Sequence, residues 1–217
     1  MIVGKYCVSA QRGFTKLDLI IVLATTLLAA TWIYFHFQRQ ARVSRLSCTS
    51  SLKSVGLAFR MFANDHEDEF PCNVAVEAGG TKEVTGPLMA FMQFRSISNE
   101  LVSPKPLVCS EDKGRIRATN WANFGNSNLS YFVSLSAKEI HPSMLLIGDR
   151  TLSTNRSVLT EHKGVIAKET KLSWATRTHK HKGSIALADG SATLMTDSQV
   201  QKQSQLSPIT PYTLLFP

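Results

Sequence analysis

The sequence lacks the short motifs that carry most enzymatic chemistry. It contains no Gly-rich phosphate loop, no nucleophile elbow, no H-E-x-x-H zinc motif and no paired-carboxylate arrangement. Its 12 glycines are scattered along 217 residues and form no phosphate cradle. We therefore expect neither an enzyme nor a cofactor-binding protein, and the absences favour a structural or binding role.

Cysteine is sparse as well, with four residues and no C-x-x-C spacing. Neither a zinc ribbon nor a thioredoxin-type site is expected from this pattern. Cys7 lies near the N-terminus, and Cys48, Cys72 and Cys109 follow later. If that later part of the chain lies outside the cytoplasm, we expect one disulfide between two of these three residues. The spacing does not decide which two.

A chain of this length has room for one apolar anchor and one modest globular domain. Residues 19–35 form a run of 17 residues without a charge, the lower limit for a helix that spans a bilayer. Trp32 and Tyr34 lie at its far end, where aromatic side chains favour the membrane interface. A signal peptide would be cut after this run at small residues, but bulky residues 32–37 follow Ala29 and Ala30. The run is therefore predicted to be retained.

The residues before the run carry a specific resemblance. A basic leader ends in Arg12-Gly13, and residues 14–18 read Phe-Thr-Lys-Leu-Asp. This pattern resembles the class III signal of type IV prepilins and type II secretion pseudopilins. In that family a membrane peptidase cuts after the glycine and methylates the new N-terminal phenylalanine. The resemblance implies that Gly13 ends the leader, that Phe14 is the mature N-terminus and that Asp18 is the acidic residue at the fifth mature position.

Asp18 also has a physical role that does not depend on the family. A carboxylate in the first turns of a helix at membrane depth is costly unless it is paired. The N-terminal amine of an adjacent subunit and the helix macrodipole would both stabilise the charged Asp18 carboxylate. In the alternative interpretation, Asp18 and Lys16 only extend to the cytoplasmic interface. The family usually has Glu in place of Asp18 and an apolar residue in place of Lys16.

The helix is predicted to continue beyond the membrane to about residue 63. Cys48, Leu52, Val55, Phe59 and Phe62 recur at steps of four and three and would line one face. Residues 64–69 include four acids, but they lack the calcium-loop pattern and predict a solvated helix end. The predicted organisation is a leader at 1–13, a membrane and assembly helix at 14–37, its amphipathic continuation at 38–63 and a head at 64–217.

Within the head, residues 72–128 predict loops around short elements, including a helix at 87–94. Strands are predicted at 129–135 and 144–147. Two alternating runs at 184–188 and 191–195 surround Asp189-Gly190 and predict a hairpin. The tail from about Ser204 is predicted to be irregular. The fold class is therefore α+β, and the resemblance implies a pilin-like plan: a long N-terminal helix, membrane half plus amphipathic half, packed on a small antiparallel sheet.

A second resemblance lies near the C-terminal end. His179 is followed by nine residues and then by Asp189-Gly190, which is similar to the H-x9-DG box of certain pilin-like bacterial proteins. In a hairpin, five strand residues span about 17 Å, so His179 and Asp189 are not expected to share a metal. We favour Asp189 and Gly190 as turn formers. His179 and His181 are weak candidates for a transition metal, and a solvated basic loop is the simpler interpretation.

The formal net charge of +8 is compatible with an anionic partner. The basic residues occur before the apolar run (Lys5, Arg12), after it (Arg39, Arg42, Arg45, Lys53, Arg60) and near the C-terminal end (Arg177, Lys180, Lys182). Arginines just beyond the bilayer could meet lipid phosphates or acidic side chains of neighbouring subunits. By the positive-inside rule these arginines compete with Lys5 and Arg12 for the cytoplasmic side of the membrane. The leader resemblance favours the orientation in which the head lies outside the cytoplasm.

The resemblance implies a subunit of a pilus or type II secretion pseudopilus, with a prepilin peptidase, other pilin subunits and the membrane as partners. Its location would be the bacterial inner membrane, single-pass, with the head outside the cytoplasm. One alternative is a minor pilin that binds DNA or another polyanion through Arg177, Lys180 and Lys182, although nucleic acid is not needed to explain the charge. The other is a solitary anchored protein with an unknown ligand.

Overall fold

The computed structural model describes the backbone of residues 16–154, 157–158, 162–175 and 181–217. Side chains are described in the same ranges, except those of residues 40–45 and 157–158. Two compact units divide between Val43 and Ser44. Residues 44–217 are called the C-terminal unit.

The longest element is helix α1, Lys16–Asn64. No proline or glycine occurs between residues 16 and 55, so that stretch lacks the two residues that oppose a helix most strongly. The helix ends where Glu67 and Asp68 take left-handed backbone angles, with φ of 56° and 59°. Two shorter helices are α2, Ala90–Arg95, and α3, Asp197–Gln205. The predicted helix end near residue 63 and the short helix predicted at 87–94 are confirmed, although α2 covers only the later part of that range.

Nine strands occur among the described residues: β1 Tyr131–Ser134, β2 Leu145–Asp149, β3 Leu152–Thr154, β4 Ser157–Val158, β5 Lys163–Ile166, β6 Leu172–Trp174, β7 Lys182–Leu187, β8 Ala192–Thr196 and β9 Tyr212–Leu215. Six of them form an antiparallel sheet in the order β5-β9-β1-β2-β7-β8. The other three form a small sheet in the order β4-β3-β6. The C-terminal unit is therefore α+β, as predicted.

The six-stranded sheet separates two apolar cores of the C-terminal unit. On one face, the end of α1 contributes the five residues predicted from periodicity, and all five are buried: Cys48, Leu52, Val55, Phe59 and Phe62. On the other face, β6 and α3 cover Phe132 and Ile185 with Trp174 and Val200. Alternation along β1 and β7 distributes the side chains between the two cores, as expected for a sheet that is covered on both faces.

The predicted strands near 129–135, 144–147, 184–188 and 191–195 are confirmed as β1, β2, β7 and β8. The prediction of an irregular tail from Ser204 is wrong. Helix α3 continues to Gln205, and β9 lies inside the six-stranded sheet between β5 and β1. The sheet needs this strand because Tyr212, Leu214 and Leu215 supply buried apolar side chains to its two faces.

Candidate functional site

The first candidate site is the apolar segment, defined as Lys16–Arg39 of α1. It is 24 residues long and, by length and composition, apolar enough to cross a membrane. Its large side chains are exposed all round the helix; Leu28, Trp32 and Phe37 are each about 70% exposed. A signal sequence has a similar composition. A helix that is apolar on every side requires a nonaqueous environment or a protein partner.

Threonine hydroxyls inside the apolar segment are already satisfied within the helix. Thr25 Oγ1 donates to the Ile21 carbonyl at 3.0 Å, and Thr26 and Thr31 bond to carbonyls three positions earlier at 2.9 Å. Such bonds remove the cost of placing a hydroxyl in hydrocarbon. The threonines therefore do not oppose membrane insertion.

Asp18 and Lys16 lie in the first turn of α1, and both side chains are exposed. The positive end of the helix macrodipole favours a carboxylate at that position. Gly13 and Phe14, the predicted processing residues, lie outside the described residues. The structure therefore describes the helix from Lys16 onward but not the predicted cleavage site.

A disulfide joins α1 to a loop of the C-terminal unit. It links Cys48 to Cys109, whose Cα atoms are 5.2 Å apart, so the pair that the sequence left open is Cys48 and Cys109. Cys72 is a free, buried thiol. Burial raises the pKa of Cys72 to about 12, so this thiol stays protonated at neutral pH and is a poor nucleophile.

Asp189 and Gly190 form the turn between β7 and β8. The Asp189 side chain accepts the Ser191 N–H at 2.8 Å, and the Gly190 N–H donates to the Leu187 carbonyl at 2.9 Å. Gly190 has φ of +79°, a backbone conformation that suits glycine. These bonds define a tight turn, and the Asp189 carboxylate accepts one of them from the backbone.

Arg60 of α1 connects this turn to a second loop. Its Nη1 donates to the Asp189 carbonyl at 2.9 Å, and its Nε and Nη2 donate to one Glu139 carboxylate oxygen at 3.1 and 2.9 Å. A Cβ at Gly56 would lie 3.3 Å from the Ala186 Cβ, so α1 approaches β7 closely. Arg60 and Gly56 therefore fix the helix against the hairpin.

His181 precedes β7 with an exposed side chain and φ of +61°. His179, Arg177 and Lys180 lie outside the described residues, so their predicted roles remain predictions. Among the described residues, no group of three or more His, Cys, Asp or Glu side chains could hold a metal ion.

A buried ion pair that the sequence analysis missed lies beside the sheet. Arg150 donates to both Asp112 oxygens, at 2.7 and 2.9 Å, and the Asp112 side chain is only 5% exposed. Burial opposes ionisation of Asp112, but the hydrogen bonds and charge of Arg150 outweigh burial and lower the pKa of that carboxyl. The pair is thus charged at neutral pH.

Asp149 at the end of β2 is a second buried acid that was missed. Its Oδ2 accepts the Ser184 N–H at 2.6 Å, and complete burial raises the pKa of Asp149 to about 7, with a further rise from the charge of Asp112. Tyr131 faces Asp149 across the β1–β2 register. Burial raises the pKa of Tyr131 well above its usual value, and its hydroxyl has no hydrogen-bond partner among the described residues.

Two open pockets of opposite charge occur in the C-terminal unit. The acidic pocket, of ≈ 550 Å³, is lined by Glu67, Asp68, Glu69, Lys138, Glu139 and Ile140. The basic pocket, of ≈ 350 Å³, is lined by Val108, Cys109, Ser110, Asp112, Lys113, Arg115 and Arg117. The available signal for the basic pocket was the charged stretch at 111–117, with three basic residues at alternate positions.

No protein-family model, curated protein or solved structure matches the chain. The described residues define a class by architecture alone: an α+β protein with a long N-terminal helix, one apolar segment that could span a membrane and a six-stranded antiparallel sheet. A more specific assignment depends on the leader pattern and on the chemistry of these sites.

Proposed function

We propose that this chain is a structural subunit of a type IV pilus-like or type II secretion pseudopilus-like filament. A prepilin peptidase removes residues 1–13 and methylates Phe14. The mature chain is held in the bacterial inner membrane by its apolar segment, with the C-terminal unit outside the cytoplasm. The observation that carries this proposal is the exposed apolar segment with an acid in its first turn, directly after a leader that ends in Gly13.

The apolar segment supports the proposal because it suits two environments in turn. Its exposed Leu, Ile and aromatic side chains match lipid before assembly, and they can pack against neighbouring helices in a filament. Asp18 supplies the carboxylate that the N-terminal amine of an adjacent subunit would need. A neutral first turn would offer no such contact.

The C-terminal unit supports an outward location. The disulfide between Cys48 and Cys109 suits an oxidising compartment rather than the cytoplasm. The pilin-like plan is supported by the end of α1, whose buried face packs on an antiparallel sheet.

The first test is the intact mass and N-terminal fragmentation of membrane-extracted protein, expressed with and without an active prepilin peptidase. We expect loss of residues 1–13 and an N-methylated Phe14 only when the peptidase is active. A Gly13→Leu variant should stay uncut and serves as the control. An uncut chain in both strains, or a cut beyond residue 35, would reject the proposal.

A second test separates a filament subunit from a solitary anchored protein. Asp18→Ala should abolish sedimentable filaments of the processed chain, whereas Asp18→Glu, which restores the family's usual residue, should assemble. Both variants keep the apolar segment, so membrane content should match the wild type. Equal behaviour of the alanine variant and the wild type would contradict the assembly role of Asp18.

A further inference from the structure

The basic pocket carries more positive charge than its own acids neutralise. Lys113 and Arg117 are exposed, and Arg115 is partly buried between them. Asp112 is the one acid among the described residues that line the pocket, and Arg150 already forms a two-bond ion pair with it. The pocket therefore presents two exposed cationic side chains, Lys113 and Arg117, to an incoming group.

Arg115 shows that this charge is held in place. Its Nη1 donates to the Asn126 carbonyl at 2.9 Å, and its Nη2 donates to a main-chain oxygen of Pro217 at 3.1 Å. Its Nε is buried and has no partner among the described residues. Burial first and the charge of Arg150 second lower the pKa of Arg115, which means that an added anion would stabilise the guanidinium.

The acidic pocket offers the complementary chemistry on the same chain. Glu67 and Asp68 are exposed on the turn that follows α1, and Glu69 lies beside them. Arg60 engages Glu139, and Lys138 is the one basic residue among the described residues that line this pocket. The carboxylates of Glu67 and Asp68 are therefore accessible to a basic group of a partner.

The two pockets lie at different ends of the helical part of the C-terminal unit. Cys109, in the basic pocket, is bonded to Cys48, whereas the acidic turn begins just after Asn64. Sixteen residues of helix between Cys48 and Asn64 correspond to about 24 Å at 1.5 Å per residue. One copy cannot easily neutralise its own basic pocket with its own acidic turn across that distance.

We infer that the acidic turn of one copy docks into the basic pocket of the next copy, an inference that rests on the proposed filament function. Because the two surfaces differ, the contact is head-to-tail and can repeat along an open assembly. The exposed carboxylates of Glu67 and Asp68 would pair with Lys113 and Arg117. Such contacts weaken as salt concentration rises.

The test uses the full chain, processed by the peptidase, with filaments quantified by sedimentation. One variant reverses the pocket (Lys113→Glu with Arg117→Glu), and the other reverses the turn (Glu67→Lys and Glu69→Lys with Asp68→Asn). Asparagine is chosen at 68 because it tolerates the left-handed backbone there. The matched control is Lys168→Glu with Lys171→Glu, two exposed residues of another loop. Urea unfolding checks that every variant is folded.

Each reversed variant alone should lose about tenfold or more of its assembled fraction, since like charges then face each other. A mixture of the two should assemble again, because each pocket then meets a turn of opposite charge. The control should assemble like the wild type. Recovery in the mixture is the decisive result, because a folding defect in either variant would not be repaired by mixing.

Three outcomes would overturn the inference. If both reversed variants assemble normally while Asp18→Ala does not, the docking contact is rejected and the filament function stands. If the processed wild type forms no assembly, the docking contact and the proposed function are both rejected. If the pocket variant loses assembly only in the presence of vesicles that contain anionic lipid, and mixing it with the turn variant does not restore assembly, the pocket binds lipid phosphate instead of a second copy.

Discussion

The buried carboxyl of Asp149 should make the stability of the C-terminal unit fall as pH rises through neutrality. Asp149 is completely buried, and burial raises its pKa from 3.8 to about 7. Between these two values the folded chain holds a proton that the unfolded chain has released. Folding therefore becomes less favourable with rising pH over this window, the opposite of the effect of an acid whose pKa is lowered.

The size of the effect follows from the pKa difference. Each unit of pKa shift corresponds to about 1.4 kcal/mol, so the free energy of unfolding should fall by roughly 2 to 3 kcal/mol between pH 5 and pH 8. Asp112 contributes little over this range, because the Arg150 contact lowers its pKa and keeps it charged throughout. Asp149→Asn retains an acceptor oxygen for the Ser184 N–H but removes the ionisable group.

The assay is urea unfolding of the full chain in detergent at pH 5, 6, 7 and 8, followed by far-UV circular dichroism. We expect a falling free energy of unfolding for the wild type and a nearly flat profile for Asp149→Asn. The matched control is Asp68→Asn, which removes an exposed carboxyl and should keep the wild-type slope. Parallel profiles for the wild type and Asp149→Asn would refute the assignment of the slope to Asp149.

Three further substitutions test the packing of the C-terminal unit. Gly183→Ala would drive a methyl group into the Trp174 ring and should lower the free energy of unfolding by about 1–3 kcal/mol. The control is Gly125→Ala, whose added Cβ would have no atom within 4 Å and should leave the stability unchanged. Equal urea midpoints for the two variants would contradict this prediction. Cys48→Ser opens a loop with a sequence separation of 61 and should cost about 4 kcal/mol, an effect that reduction of the wild type should reproduce. Arg60→Ala should cost about 1 kcal/mol and speed amide exchange in the β7–β8 turn; unchanged exchange would argue against the Arg60 contact.

The elements that the sequence predicted correctly are those specified by local patterns. The helix face from Cys48 to Phe62 follows the helical repeat, and every predicted member is buried. The β7–β8 hairpin has alternating strands around an Asp-Gly turn, so its two partners are adjacent in the sequence. In both cases the pattern lies within one continuous stretch of about fifteen residues, where periodicity is informative.

Strand β9 was missed because its partners are distant in the sequence. It pairs with β1, about 80 residues earlier, and with β5, about 50 residues earlier. Its four residues lie between Pro211 and Pro217, which together suggest a loop. Helix α3 did have a local signal: Thr196 and Gln199 form a capping box, with bonds of 3.4 and 2.9 Å.

The polar groups of the C-terminal unit could not be predicted for a related reason. The Asp112–Arg150 pair joins residues 38 positions apart, and neither residue lies in a recognisable motif. Asp149 follows the buried run of β2 and resembles an ordinary strand end in sequence. Its burial depends on the Ser184 backbone of β7, which only the sheet order brings alongside.

The Asp189-Gly190 turn has a structural explanation that requires no chemistry at the H-x9-DG box. A Cβ at Gly190 would lie 3.0 Å from the Arg60 Cδ, on a backbone with φ of +79°. The Asp189 carboxylate is used by the Ser191 N–H, and its carbonyl is used by Arg60. A larger residue at 190 would therefore displace Arg60 and loosen α1 from the hairpin. The Asp189-Gly190 turn thus helps to specify how α1 docks on the sheet.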